Sequence, residues 1–356
     1  MTSPNYQGFE QGPIRPPSEA ASLLIRVTRN CPWNRCTFCP VYKGSRFSIR
    51  PVSDVKRDID AVYHHLQTLT GMTSGENLAN VALERVRLIH DALPAPERAA
   101  FLAAWQWLGG GLESVFLQDA NSLVVKQQDL LEILGHLRQR FPGIKRITSY
   151  ARSQTVAKKT LAELTELRQA GLNRIHIGLE SGSDAVLALV QKGATKAIHI
   201  AAGQNIKQAG IELSEYYMPG LGGKKLSREH ALASAETLNE INPDFIRLRQ
   251  LNIPRGIPLF EMVAAGQFEK CHEVEIAQEL RLFLQQLRGI SSRITSDHIL
   301  NLFGDLAGNL PGDQEAMLAM LQSFLALPAP KQCIYIIGRR LGVFHGLGDM
   351  GNSRSY

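Results

Sequence analysis

Three cysteines fall within nine residues, in the run Asn30, Cys31, Pro32, Trp33, Asn34, Arg35, Cys36, Thr37, Phe38, Cys39, Pro40. Thiolates are soft ligands, and three on one short loop can converge on a zinc ion or an iron–sulfur cluster. A structural zinc site wants a fourth Cys or His nearby. The nearest later candidates, His64 and His65, sit inside a helical pattern. Three thiolates without a local fourth ligand leave one cluster iron open to bind a cofactor. A zinc knuckle and three buried free thiols are the competing readings. Cys271 and Cys333 stand alone, so the five cysteines make no disulfide framework, and one tight cluster suits a cytoplasmic chain.

Further candidates lie at the ends of extended runs. Asp119 and Asn121 follow the run Ser114–Gln118 and offer acceptor oxygens. In the run Arg174–Leu179, alternation puts Ile175, Ile177 and Leu179 on one face and His176, Gly178 and Glu180 on the other. In Phe245–Leu251 it separates Ile246 and Leu248 from Arg247 and Arg249. The same reading turns Arg26, Thr28, Thr148, Tyr150 and Arg152 inward. An ordinary barrel interior is filled with branched aliphatic side chains. A polar, basic interior reads as a ligand cavity, and arginine forks suit carboxylates or phosphates. Tyr150, His176, Arg247 and Arg249 are therefore the substrate-cavity candidates. The competing readings are internal salt bridges of the arginines with Glu180, Glu212 or Glu215, and Glu180 as an ordinary residue at a helix N-terminus. His298, in the stretch Thr295–Asn301, reads as structural.

Elements that could position these groups are legible from periodicity. Extended runs at Leu23–Thr28, Ser114–Gln118, Arg146–Tyr150, Arg174–Leu179, Glu212–Tyr217 and Phe245–Leu251 alternate with helical stretches at Leu123–Arg140, Thr155–Ala170, Ala197–Ala209 and Ser227–Ile241. Such alternation predicts an α/β fold with a parallel sheet. Gly171 and Gly210 mark helix ends. Six βα units predict a partial barrel, curved and partly open. A helical insertion occupies 53–108, with a break near Gly71–Gly75. After Pro258 the chain reads as helices at Pro258–Ala265, Val274–Leu287 and Asp313–Ala326, with a short extended piece at Ser291–His298. The predicted organisation is an N-terminal segment 1–21, a barrel 22–257 and a C-terminal helical extension 258–356.

Composition excludes several classes. With 44% hydrophobic and 20% charged residues among 356, the chain is an ordinary globular sequence. No run of eighteen apolar residues exists, so no membrane partner is expected. Met1–Ala21 is polar and Pro-rich, unlike a secretory signal. The net charge of +6 is spread as pairs such as Lys158-Lys159 and Arg339-Arg340, a solvated surface more than a nucleic-acid patch. Nucleic acid is thus disfavoured as a partner, and a small anionic molecule is the expected substrate.

The cysteine run, its place after the first strand and the run Ile177–Gly182 (Ile-Gly-Leu-Glu-Ser-Gly) resemble the radical S-adenosylmethionine (radical SAM) superfamily, in its coproporphyrinogen-oxidase and elongator-like branch. The resemblance covers roughly Ile14 to Glu269. The family's usual first cysteine gap holds three residues; here it holds four, Pro32 to Arg35. Phe38 occupies the family's aromatic position before the last cysteine. The resemblance implies a (β/α)6 radical SAM barrel and a [4Fe–4S] cluster on Cys31, Cys36 and Cys39, with S-adenosylmethionine on the open iron. An electron donor such as flavodoxin or ferredoxin would then drive formation of a 5′-deoxyadenosyl radical. It places Asp119 and Asn121 near the cofactor's amino group and Glu180 on its ribose, and Met218, Pro219 and Gly220 along its adenine. Phe38, Arg152 and Ser181 complete the implied cofactor set. RNA modification is the alternative activity and a non-catalytic metal-binding scaffold the alternative class. With some twenty residues before the first strand, no cobalamin domain is expected and coproporphyrinogen decarboxylation is disfavoured.

Overall fold

The computed structural model describes residues 6–73 and 83–351. Strand β1 (Leu23–Arg26) starts the main sheet. The short strands β2 (Thr28–Arg29) and β3 (Ser48–Ile49) pair antiparallel with each other, so the first extended run ends two residues before Thr28. The ribbon closes the neck of the loop 30–47, and Arg50 N–H bonds back to Val27 O at 3.1 Å. Helices α1 (Val52–Thr73), α2 (Leu83–Ala92) and α3 (Ala95–Gly109) form the insertion. Helix α1 runs through the start of the expected break; the remainder of that break lies outside the described residues.

Strand β4 (Ser114–Gln118) and helix α4 (Gln127–Arg140) follow, then β5 (Arg146–Ala151) and the short α5 (Ser153–Val156). Helix α6 (Leu161–Gln169) is separate from α5 because Thr160 and Glu163 form a capping box. Strand β6 (Leu172–Glu180) leads to α7 (Asp184–Leu189) and α8 (Lys196–Gln208). Strand β7 (Glu212–Tyr217), α9 (Gly223–Ile241) and β8 (Phe245–Leu248) come next. Helices α10 (Pro258–Ala264) and α11 (Glu273–Gln286) precede β9 (Arg293–Thr295) and β10 (Gly308–Asn309); α12 (Gln314–Leu325) and α13 (Ala329–Arg340) close the chain.

The main sheet runs β1-β4-β5-β6-β7-β8-β9-β10. Every neighbour pair from β1 to β9 is parallel, and β10 returns antiparallel on β9. All six expected strands are present in the expected order. A seventh parallel strand, β9, comes from the short extended piece at Ser291–His298, so the sheet continues past residue 257.

Alternation decides which side chains face the helices. Leu23, Ile25, Val27, Ile147, Ile175, Ile177 and Leu213 pack outward with Val55, Ile59, Val62, Leu66 and Leu69 of α1 in one core. Those α1 residues are three and four apart, which gives one apolar stripe. Ile246 and Leu248 pack outward into a second core with Ile276, Leu280 and Phe283 of α11 and Phe324 of α12. Each such side chain, fully buried, stabilises the fold by roughly 1.5–3 kcal/mol.

The inner face stays polar, and the N-terminal segment fills its floor. Glu19 is fully buried; Ser22 Oγ donates to it at 2.6 Å, and Arg146 Nη2 lies 3.2 Å away. His176 Nε2 sits 3.4 Å from the same carboxylate, ringed by Phe116, Tyr150 and Tyr216. Burial pushes the Glu19 carboxyl up, yet the His176 and Ser22 hydrogen bonds and the Arg146 charge hold it down at about 2. Burial keeps His176 down at about 4, against the pull of Glu19, so it is neutral at pH 7. Higher up, Gln118 Nε2 donates to Ile14 O at 2.5 Å and Gln118 Oε1 accepts from Gly12 N–H at 2.8 Å. The N-terminal segment therefore seals the bottom of the open barrel.

Candidate active site

The loop after β1 owes its shape to two asparagines and one carboxylate. Asn30 (φ 67°) and Asn34 (φ 45°) adopt the left-handed conformation that asparagine tolerates well. Asn34 N–H points at Cys31 Sγ, 3.4 Å away. Asp119 has no exposed side-chain surface. It accepts from Arg26 Nη2 at 2.8 Å, from Asn30 N–H at 3.1 Å and from Tyr42 Oη at 2.6 Å. The strand end of β4 is thereby tied to both ends of the cysteine loop. Thr37 N–H donates to Val190 O at 3.0 Å, anchoring the loop's middle to the end of α7.

Cys31, Cys36 and Cys39 are free thiols, half-buried, and all three line one cavity of about 210 Å³. Burial raises the Cys36 thiol pKa, while Lys192 and Arg152 lower it. Among the described residues no three His, Cys, Asp or Glu side chains converge as a single metal ion requires. The cavity's described lining offers no histidine or further cysteine as the fourth ligand that a structural zinc site wants, whereas three thiolates suffice for a cluster with one open iron. The donor set thus fits a cluster: three unpaired soft thiols facing a cavity with two cations beside them.

Glu180 and Lys192 form the side wall. The Glu180 carboxylate lies 3.0 Å from Lys192 Nζ, and both are largely buried. Burial works against the Lys192 ammonium, but Glu180 and Cys36 hold it charged. Glu180 itself sits at φ 63°, a conformation unusual for a residue with a side chain. Gly178 makes the room: a Cβ there would run into the Glu180 carboxylate and come within 2.9 Å of Lys192 Nζ. Lys192 escapes sequence reading because it lies on the turn between α7 and α8, where no periodicity operates. The turn is held by Trp33 Nε1, which donates to Gln191 O at 2.8 Å, and by Arg152 Nη2, which donates to Lys192 O at 2.7 Å. The Arg152 guanidinium also stacks 4.9 Å from the Trp33 ring centre.

Tyr150 and Tyr216 line the cavity, with their hydroxyls 3.4 Å apart. Phe38, Arg152, Glu180, Met218 and Arg249 line it too. Other expected residues are engaged by neighbours within the chain. Asp119 is consumed by Arg26, Asn30 and Tyr42. Asn121 accepts from Arg152 N–H at 3.1 Å and donates to Thr155 Oγ1 at 2.8 Å. His176 is held on the floor by Glu19. Ser181 Oγ pairs with His230 Nδ1 at 2.8 Å, Pro219 O accepts from Leu251 N–H, and Gly220 N–H donates to the buried Glu279 at 2.7 Å. Arg247 faces inward as alternation requires, but Asp297 takes its charge at 2.8 Å and Ser214 Oγ its Nε at 3.0 Å. Arg249 differs: it lines the cavity and has no acidic partner among the described residues.

The Radical SAM superfamily profile matches residues 25–235. A tRNA uridine(34) acetyltransferase from Methanocaldococcus jannaschii is 23% identical over 272 residues, 74% of this chain and 48% of that protein. A tRNA-2-methylthio-N(6)-dimethylallyladenosine synthase from Christiangramia forsetii is 23% identical over 198 residues, 55% of this chain and 35% of that protein. The chain spans about half the length, or less, of these curated relatives. Among solved structures, coproporphyrinogen III oxidase from Escherichia coli aligns with a TM-score of 0.46 and 15% identity, covering 75% of this chain and 52% of that one. The matched profile spans more than half of the sequence and contains the cysteine loop and the strands β4 to β7 that wall the cavity: the chain belongs to the radical SAM superfamily.

Proposed function

We propose that this chain is a radical SAM enzyme that modifies a nucleotide of RNA. The observation that carries the reading is the shared cavity: three free thiols, the Glu180–Lys192 pair and the unpaired Arg249 open onto one space. The cofactors of the family are a [4Fe–4S] cluster and S-adenosylmethionine, which together supply a 5′-deoxyadenosyl radical that abstracts hydrogen from a substrate. Cys31, Cys36 and Cys39 would hold the cluster. Glu180 would accept the ribose hydroxyls, as the family resemblance implies, with Lys192 fixing its carboxylate in place. Met218 offers an apolar face to the adenine. Tyr150 and Tyr216 bound the space left for substrate.

The names of the curated relatives support RNA over a free anionic metabolite, against the expectation drawn from the scattered surface charge. Arg249 suits either, since its fork matches phosphate as well as carboxylate. The test is anaerobic incubation of reconstituted protein with S-adenosylmethionine, reductant and a pool of unmodified tRNA transcripts. The RNA is then digested and its nucleosides are weighed by mass spectrometry. A new nucleoside mass that depends on Cys36 supports the reading. An unaltered pool, alongside turnover of a small acid, would overturn it.

A further inference from the structure

The stretch Ser296–Asn301 follows β9, and its Leu300 lines the cavity. It is pinned at both ends. Asp297 accepts from Arg247 Nη1 at 2.8 Å. Asn301 accepts from Gln250 N–H at 2.8 Å and donates to Leu248 O at 2.8 Å and Ser296 Oγ at 2.9 Å. Leu302 N–H donates to Gln250 Oε1 at 3.1 Å. Between these pins the chain turns once, with Asn301 N–H bonded to His298 O at 2.9 Å.

The tip of that turn is not closed off. Leu300 is 50% exposed and lines the cavity, and Ile299 is 89% exposed. Leu300 N–H points at His298 Nδ1, 3.3 Å away. That contact puts the lone pair on Nδ1 and the proton on Nε2, which has no partner among the described residues. Burial and the charge of Arg249 keep His298 neutral, against the pull of Asp297. The tip therefore sets an Nε2–H donor close enough to feel the charge of Arg249, whose guanidinium has no acidic partner among the described residues. Backbone pinning fixes the guanidinium's base: Arg249 N–H donates to Tyr217 O at 3.0 Å. A half-buried cation without an acid beside it is costly to keep unless an anion joins it.

We infer that Arg249 and His298 form the phosphate subsite for the nucleotide substrate, with Leu300 laid against its base. The inference rests on the RNA reading for the source of the phosphate, and on the cavity's own geometry for its recognition. Arg249 supplies the fork and the charge, His298 a second donor from the neighbouring strand's loop. The double pinning holds the tip ready, so little ordering is required on binding.

The test uses the anaerobic, cluster-loaded protein and two probes: a dye-labelled unmodified tRNA transcript, read by anisotropy, and uridine 5′-monophosphate against uridine, read by calorimetry. Arg249→Ala and His298→Ala should each weaken both phosphate-bearing probes by about tenfold or more. His298→Gln, which keeps a donor, should recover part of that loss, and uridine should be indifferent to all three. Variants are compared at equal iron content, with Arg249→Gln and His298→Phe replacing any Ala variant that loses iron. Wild-type binding of both probes that none of these substitutions changes would overturn the subsite and leave the RNA reading standing. Monophosphate binding that depends on Arg249 and His298, without tRNA binding, would uphold the subsite and overturn the RNA reading. Failure of the wild type to bind either probe would overturn both.

Discussion

On the side of the cavity that carries the cysteines, Asp119 is bonded by Arg26, Asn30 and Tyr42. Arg152 is bonded to two backbone carbonyls, and Glu180 is paired with Lys192. On the side beyond β8, Arg249 has no acidic partner and His298 Nε2 no hydrogen-bond partner among the described residues, while Leu300 lines the cavity and Ile299 is exposed. The first side is braced within the chain: Asp119, Arg152 and Glu180 are each held by neighbouring side chains or backbone, and together they fix the cysteine loop and its surroundings in place. The second side is complete only with something added. A radical enzyme needs that division. The site that makes the radical must be rigid, whereas the site that takes the substrate must leave polar groups unsatisfied until it arrives.

The comparison can be broken most severely at the cysteines. Reconstituted wild type should carry about four irons per chain, as one cubane does. Alanine at Cys31, Cys36 or Cys39 should reduce that to near zero, and alanine at Cys271 or Cys333 should leave it unchanged. About eight irons, or dependence on Cys333, would contradict the assignment.

Asp119→Ala should come next. It leaves the Arg26 guanidinium without its buried partner and frees both ends of the cysteine loop, at a cost of roughly 3–5 kcal/mol. Arg249→Ala, on the open side, should cost no stability, because it removes a half-buried guanidinium that has no acidic partner among the described residues. Denaturant midpoints of the two variants measure the contrast directly, and equal losses would erase it. Glu180→Gln should weaken S-adenosylmethionine binding by about tenfold or more, since a hydrogen bond to a charged acceptor is worth roughly 1.5–3 kcal/mol. An unchanged dissociation constant on cluster-loaded protein would remove Glu180 from the cofactor site.

The smallest effect is in acid. His176 is held down at about 4 and His199 at about 3, both chiefly by burial. Both are neutral in the folded chain, whereas an unfolded histidine takes its proton near pH 6.5. The unfolded chain therefore binds more protons below that pH. Stability is fully present above about 6.5 and falls toward pH 4, by roughly 1.4 kcal/mol per pH unit for each histidine. His176→Phe should flatten the slope between pH 6.5 and 5, a range above the titration of Glu19. A slope unchanged by that substitution would place the sensitivity elsewhere.

What sequence could and could not disclose follows the same division of causes. Period-two alternation is a local rule, so the inward turn of Arg26, Tyr150, His176, Arg247 and Arg249 was readable from four separate runs. Alternation does not say how far down the barrel a residue sits. That is why His176, on the floor, and Arg249, at the mouth, looked equivalent. The bonds of Asp119 to Arg26, Asn30 and Tyr42 were not legible because those partners lie 77 to 93 positions away in the chain. Lys192 sits on a turn, and β9, legible as an extended piece, is three residues long, too short for alternation to give it a place in the sheet. Glu19 lies in a Pro-rich stretch that carries no periodic signal at all. The cysteine spacing was legible because ligand convergence needs only one short loop.

The central claim, that these parts compose a radical-generating site, is met most directly by one measurement. Anaerobic, cluster-loaded protein is mixed with S-adenosylmethionine and a strong reductant, and 5′-deoxyadenosine is followed by chromatography. The account predicts slow formation by the wild type without substrate, acceleration by the tRNA pool, and none from Cys36→Ala. An intact cluster with bound S-adenosylmethionine that never yields 5′-deoxyadenosine, with or without RNA, would contradict it.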